Sequence, residues 1–241
     1  MAIDKSQRTA ARVAGFLLLL LMAAGFFSQA YIPSQIIVDG DAAATARNIV
    51  ASEQLFRIGI ATDVLIFAAD IVMAVAFYVL LKKVSPGLAM LALLWRTAQS
   101  AIMAMNGLSF LTASSVLSGP DTLRALSADQ LQELANTYVG VHTAGFNLGL
   151  IFLALGNGVF AYLLFTSKYV PRPLAAWGIL AYIVMAAGNL ATIIISGAEE
   201  TAGGVMIHYL PAFFFEVIAG GWLLFRGIRA PAAAEPTPAR G

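Results

Sequence analysis

The sequence predicts an all-α integral membrane protein, a bundle of six transmembrane helices with both termini in the cytoplasm. Three observations carry that prediction. Of 241 residues, 60% are hydrophobic and only 11% charged, where a soluble domain carries roughly 25% charge. Apolar runs long enough to cross a bilayer recur along the whole chain. These runs are continuous and show none of the short period-two alternation that barrel strands require.

A helix needs about 20 apolar residues to cross a hydrocarbon core of about 30 Å. Spans are expected at about 10–32, 54–81, 87–117, 138–166, 173–196 and 205–228, within one membrane domain covering 1–229. The first contains the apolar block 16–21. Basic residues, an apolar stretch and Ser28-Gln29-Ala30 also resemble a cleavable signal peptide. An uncleaved helix is preferred, because cleavage would leave five helices and put the first polar segment outside. Asp41 is a candidate N-cap for a short amphipathic helix, Ala42 to Ala51, expected in the first outer loop with its apolar face on the membrane surface. Ser85-Pro86-Gly87 forms a tight turn between the second and third spans. Gly119-Pro120-Asp121 ends the third, and Ser127-Ala-Asp-Gln130 opens a polar helical approach to the fourth. Pro171 and Pro173 bracket the next turn, and the Ala- and Pro-rich tail 230–241 reads as disordered.

Charge placement gives the orientation. Lys5, Arg8, Arg12, Lys82, Lys83, Lys168, Arg172, Arg226, Arg229 and Arg240 fall on one side of a six-helix path. Asp39, Asp41, Glu53, Asp121, Asp129, Glu133, Glu199 and Glu200 fall on the other, with Arg47 and Arg124. The positive-inside rule then places both termini in the cytoplasm. Fourteen basic residues nearly cancel thirteen acidic ones, which argues against a nucleic-acid partner. The absence of cysteine excludes disulfides, iron–sulfur clusters and thiolate metal sites.

Ionisable groups inside a span are costly and mark functional or pairing sites. Counting at about 1.5 Å per residue brings Asp70 and Arg96 to one level near mid-membrane, as a buried ion pair between the second and third spans. Asp63 lies seven residues before Asp70, on the same side of its helix. Arg57 near the interface is an anchor that snorkels. Arg96, Gln99, Met103 and Asn106 form one largely polar stripe, expected to face the second span and the bundle interior rather than lipid. The fourth span offers His142 and Asn147 around Gly145-x-x-x-Gly149, with Asn157 deeper between Gly156 and Gly158. The fifth offers Asn189, and the sixth His208, Pro211 and Glu216. These groups concentrate in the outer half, which predicts a polar cavity opening outward. Helix-to-helix hydrogen bonding without a cavity is the competing explanation.

No zinc-protease, nucleophile-elbow or phosphate-loop motif occurs. Asp63 and Asp70 share one helix, unlike the facing aspartates of intramembrane proteases. His142 and His208 lie at similar depths on different helices and are the candidates for haem or metal ligation.

Taken together, these residues resemble a bacterial multi-pass membrane family known as domain of unknown function 4386. The resemblance is carried by Arg12-Val-Ala-Gly15, the stretch from Gly40 to Glu53, Leu55-Phe-Arg-Ile-Gly59, Asp63, Asp70 and Trp95-Arg96-Thr-Ala-Gln99. It continues through His142, Pro211, Glu216, Trp222-Leu-Leu224 and Arg226-Gly227. It implies a six- or seven-helix membrane domain in which Asp63, Asp70, Arg96, Gln99, His142 and Glu216 belong to the family pattern. It implies no activity.

The expected function is binding or transport of a small molecule or proton, without a resident cofactor. The site candidates are Asp63, Gln99, Asn106, His142, Asn147 and Glu216, with Asp70–Arg96 as the buried pair. One alternative is a non-enzymatic accessory or scaffold subunit, whose Gly145 and Gly149 face would meet a partner membrane protein or a second copy. The other is a membrane-embedded enzyme using haem or metal at His142 and His208.

Overall fold

The computed structural model of the chain describes residues 3–38, 40–117, 126–195 and 202–229, with the backbone alone at 202–206. Asp39, Asp121, Arg124, Glu199, Glu200, Arg240, the turn at Gly119-Pro120 and the tail from Ala230 lie outside the described residues.

Helix α1 (Lys5–Gly25) runs through a π-helical turn (Phe26–Tyr31) into α2 (Ile32–Ile36). Then come α3 (Ala42–Ala51), α4 (Glu53–Leu81), α5 (Pro86–Leu117), α6 (Ala128–Ser167), α7 (Arg172–Ile194) and α8 (Ala202–Gly221). A second π-helical turn (Trp222–Arg226) ends α8. Among the described residues there is no strand. Six helical segments are long and apolar enough to cross a membrane: Lys5–Ile36, Glu53–Leu81, Pro86–Leu117, Ala128–Ser167, Arg172–Ile194 and Ile207–Arg226. Their outward faces carry exposed Leu65, Leu94, Leu180, Ile183 and Phe214, which fits contact with lipid.

Local chemistry sets the ends. Asp4 and Gln7 form a capping box at α1. Ser127 and Gln130 do the same for α6, so that helix starts at Ala128 and reaches 40 residues, longer than the apolar run alone suggests. Lys168 ends α6 in the left-handed conformation (φ 59°), and proline opens α7. In the first span, Pro33 removes an amide from the helical ladder, and the π-helical turn lies just before it.

The six long helices close into a ring in the order α1, α4, α5, α6, α7, α8 and back to α1. Without a hydrophobic drive between helices in lipid, close approach depends on small residues and polar contacts. At Gly15, an added Cβ would lie 2.5 Å from Leu224 N and 2.7 Å from Gly220 O, so only glycine admits α8 here. On α6, Gly145 receives Asn106, Gly149 receives Met103 and Gly156 receives the Arg96 stem. Steps along antiparallel α5 are thus matched by glycines along α6. This register sharpens one expectation and corrects another. The Arg96–Asn106 stripe is buried in the bundle, with Arg96 on Asp70 of the second span but Met103 and Asn106 against α6, and the Gly145–Gly149 face is filled by α5 rather than left for a partner helix.

One end of the ring gathers the basic residues. Lys83 Nζ lies 2.8 Å from Asp4 Oδ2, and buried Gln7 donates to Leu80 O (3.1 Å) and Tyr169 OH (3.0 Å). Gly227, at φ 68°, turns the chain so that Arg229 N reaches Tyr169 O at 3.0 Å. Aromatic rings hold the cations at this end: Arg226 and Arg229 lie over Trp222, Arg172 over Phe165 and Lys82 over Tyr78.

The opposite end is plugged. Asp41 caps α3, accepting from Ala44 N at 2.8 Å, and the buried face of α3 is Thr45, Ala46 and Ile49. Ile49 joins Ile32, Ile36, Phe56, Phe110, Ala113 and Val139 in an apolar core. The short amphipathic helix therefore turns its apolar face into the bundle rather than onto the membrane surface. Bundle side chains offer it better packing than the lipid boundary does. The outward opening expected from the sequence is filled by this core.

Candidate functional site at the centre of the bundle

Between the plug and the basic end, α4 to α8 contribute polar side chains to two neighbouring buried groups. Arg96 on α5, 2% exposed, donates through Nη2 to Asp70 Oδ1 on α4. The second oxygen of Asp70 accepts from Ser100 Oγ at 3.0 Å. Ser100 lies four residues after Arg96, one helical turn on, so a single face of α5 supplies both donors. A Cβ at residue 156 would lie 2.8 Å from Arg96 Cγ and 3.1 Å from Ala92 O, so Gly156 is what lets the arginine stem cross α6. Arg96 Nε and Nη1 have no hydrogen-bond partner among the described residues.

Glu216 on α8 is the second centre, 5% exposed. Its Oε1 accepts from Tyr182 OH on α7 at 2.7 Å and from Asn157 Nδ2 on α6 at 3.3 Å. Asn157 Nδ2 also lies 3.0 Å from the Tyr182 hydroxyl, linking all three side chains. Tyr209, seven residues before Glu216 and two turns away on α8, reaches Oε2 at 2.8 Å. Its hydroxyl also touches Met22 Sδ on α1 at 3.2 Å. Arg96 and Asp70 lie within electrostatic reach of Glu216. The centre thus holds two carboxylates and one guanidinium. Beside Asn157 and Tyr182, a cavity of about 10 Å³ is lined otherwise by Leu18, Phe77, Phe160, Phe215 and other apolar side chains. That is the space of one water at most.

The remaining candidates are not brought into this cluster as one site. Asn106 Nδ2 donates to His142 O at 2.7 Å, and the His142 ring stacks on Phe110 with centroids 3.5 Å apart. Both therefore serve the α5–α6 contact beneath the plug. Gln99 Oε1, Asn147 Oδ1 and Asn189 Oδ1 are buried without a hydrogen-bond partner among the described residues, while Asn189 Nδ2 donates to Met185 O at 2.7 Å. Asp63 faces Ser28 and Gln29 of the first π-helical turn. His208 packs over Gly188 on α7, so the two histidines contact different helices, His142 on α5 and His208 on α7. Among the described residues no group of three His, Asp or Glu side chains is placed to hold a metal ion.

Tyr182, Tyr209, Ser100 and Asn157 were not among the sequence-derived site residues. Two signals point to the tyrosines among them. A tyrosine at the middle of an apolar span lies far from the interface where tyrosines collect, and Tyr182 is fully inside α7. Tyr209 and Glu216 share one helix face at seven-residue spacing.

No curated protein and no solved structure matches the chain. A family model does match, over residues 13–227, and its span takes in the whole ring and all members of the central cluster. The chain belongs to that family, described as a domain of unknown function (DUF4386).

Proposed function

We propose that the protein binds and carries a small solute across its membrane in exchange for a proton held at Glu216. The observation that supports this most is the charge composition of the centre: Arg96 is paired with Asp70, and Glu216 is a second buried carboxylate within electrostatic reach of that pair, with no ion pair of its own among the described residues. Uncompensated charge in the hydrocarbon region is costly, and one added proton makes the trio neutral. Tyr182 and Tyr209 supply hydroxyls on both carboxylate oxygens, a route along which a proton can be passed. The unpartnered edge of Arg96 is the group that a solute acceptor would meet.

The arrangement described is closed toward both ends, by the α3 plug and by the basic-end core. Solute entry then requires α2–α3 to move off the bundle. The basic end is taken as cytoplasmic, in a bacterial inner membrane, on the positive-inside rule.

The test uses purified protein in liposomes loaded with a pH-sensitive dye, challenged with a panel of small amines, carboxylates and neutral metabolites. The expected result is a solute-driven pH change inside wild-type vesicles that is lost with Glu216→Gln. A panel that moves no protons, or a signal unaltered by Glu216→Gln, would contradict the proposal.

A further inference from the structure

A third buried acid, Asp63 on α4, faces the π-helical turn of the first span. Gly59 on α4 takes Ile32 against its backbone, where a Cβ would meet Ile32 Cδ1 at 3.2 Å. One turn further along each antiparallel helix, Asp63 comes opposite Ser28 and Gln29. Asp63 is 8% exposed and Ser28 4%. Ser28 and Gln29 face the Asp63 carboxylate, yet neither Asp63 Oδ1 nor Ser28 Oγ reaches good hydrogen-bond geometry with any partner among the described residues. The described ion pairs join Arg57 to Glu53, Lys83 to Asp4 and Arg96 to Asp70, so none of them neutralises Asp63.

The backbone contributes a third oxygen. In an α-helix the Ile32 amide would donate to Ser28 O; here it donates to Phe27 O instead. Residue 33 is proline and has no N–H to offer. Neither the amide four residues on nor one five residues on therefore serves the Ser28 carbonyl. The Ser28 hydroxyl and the Gln29 amide are the polar groups nearest the Asp63 carboxylate, and the carboxylate, the hydroxyl oxygen and the freed carbonyl are hard oxygen ligands on two adjacent helices. Interrupted helices coordinate sodium in this way, through carbonyls that the ladder leaves free. One carboxylate balances one positive charge, and among the described residues no group of three acids or histidines would hold a divalent ion.

We propose that Asp63, with the hydroxyl and carbonyl of Ser28, forms a binding site for a single sodium ion. The site is separate from the Glu216 cluster and does not rest on proton exchange there.

The experiment is thermal unfolding of the full chain in neutral-lipid nanodiscs, in NaCl and in choline chloride at equal ionic strength. A ligand that binds only the folded state raises its midpoint. Wild type should melt about 2–4 °C higher in NaCl, and Asp63→Asn should show no difference between the salts. Should Asp63→Asn not fold, Ser28→Ala decides the matter, because it keeps the carboxylate and removes one oxygen. It should need roughly tenfold more NaCl for the same shift. Equal wild-type midpoints in both salts, a sodium shift surviving in Asp63→Asn, or an unchanged sodium requirement in Ser28→Ala would each overturn the site.

Discussion

Tyr182 on α7 donates to Glu216 on α8 across 2.7 Å, and Asn157 on α6 lies within hydrogen-bond distance of both. Three successive helices of the ring are therefore joined through one carboxylate. Tyr182→Phe removes one donor and leaves the ring volume nearly unchanged. Hydrogen bonds between membrane helices contribute about 1–2 kcal/mol in peptides and less in whole bundles. The expected loss of unfolding free energy in detergent is about 1 kcal/mol, with the helix content by circular dichroism unchanged.

The Asp70–Arg96 pair separates packing from function. Removing one partner leaves an uncompensated buried charge, which costs about 3–5 kcal/mol. Replacing both by apolar residues of similar size is often neutral for stability. Arg96→Met alone, which leaves Asp70 and Glu216 without a cation, should then be poorly folded, and Asp70→Leu with Arg96→Met should recover the wild-type melting midpoint. Recovery of solute-driven proton movement in that double variant would make the pair purely a packing element. The expected result is a folded and inactive protein.

Glycine substitutions should rank by what the new methyl meets. At residue 15 the neighbours are backbone atoms of Leu224 and Gly220, which give way only if α8 moves. At residue 149 the nearest atom is Met103 Cε, the end of a flexible side chain. Gly15→Ala should cost about 1–3 kcal/mol, the range for overpacking, and Gly149→Ala distinctly less. A chemical-denaturant series in mixed micelles measures both.

Asp4 gives a pH-dependent prediction at the basic end. Lys83 donates to its carboxylate and the Gln7 amide caps onto it, which together hold its pKa below the ordinary 3.8. A folded-state value below the unfolded one means stabilisation that is complete above the unfolded value. It is lost as pH falls through the folded value. The difference in melting midpoint between wild type and Asp4→Asn should hold at neutral pH and shrink once the pH drops below about 3.8.

The helices, their approximate ends and the central ion pair were legible because each leaves a local mark. Asp70, Arg96 and Glu216 are charges within apolar runs, and no bilayer-facing position tolerates them cheaply. Tyr182 and Tyr209 were not legible in the same way. Tyrosine packs like phenylalanine when buried and sits at interfaces when it is not, so the residue type names no depth and only its place within the apolar run does. The plug was misplaced for a related reason: the apolar face of α3 fits a membrane surface as well as a bundle end, and only Ile36, Phe56 and Phe110 decide between them. The partner of the α5 stripe depended on register. Arg96, Met103 and Asn106 meet Gly156, Gly149 and Gly145 across α6, a pairing of two distant segments that spacing along either helix does not contain.

The most direct measurement of the central claim is difference infrared spectroscopy of the purified protein in lipid as bulk pH is changed. The account predicts a carboxylic-acid carbonyl band that titrates in wild type, shifts in Tyr182→Phe and disappears in Glu216→Gln. A titrating band that survives in Glu216→Gln, or no titrating carboxyl at all, would contradict the assignment of the exchangeable proton to Glu216.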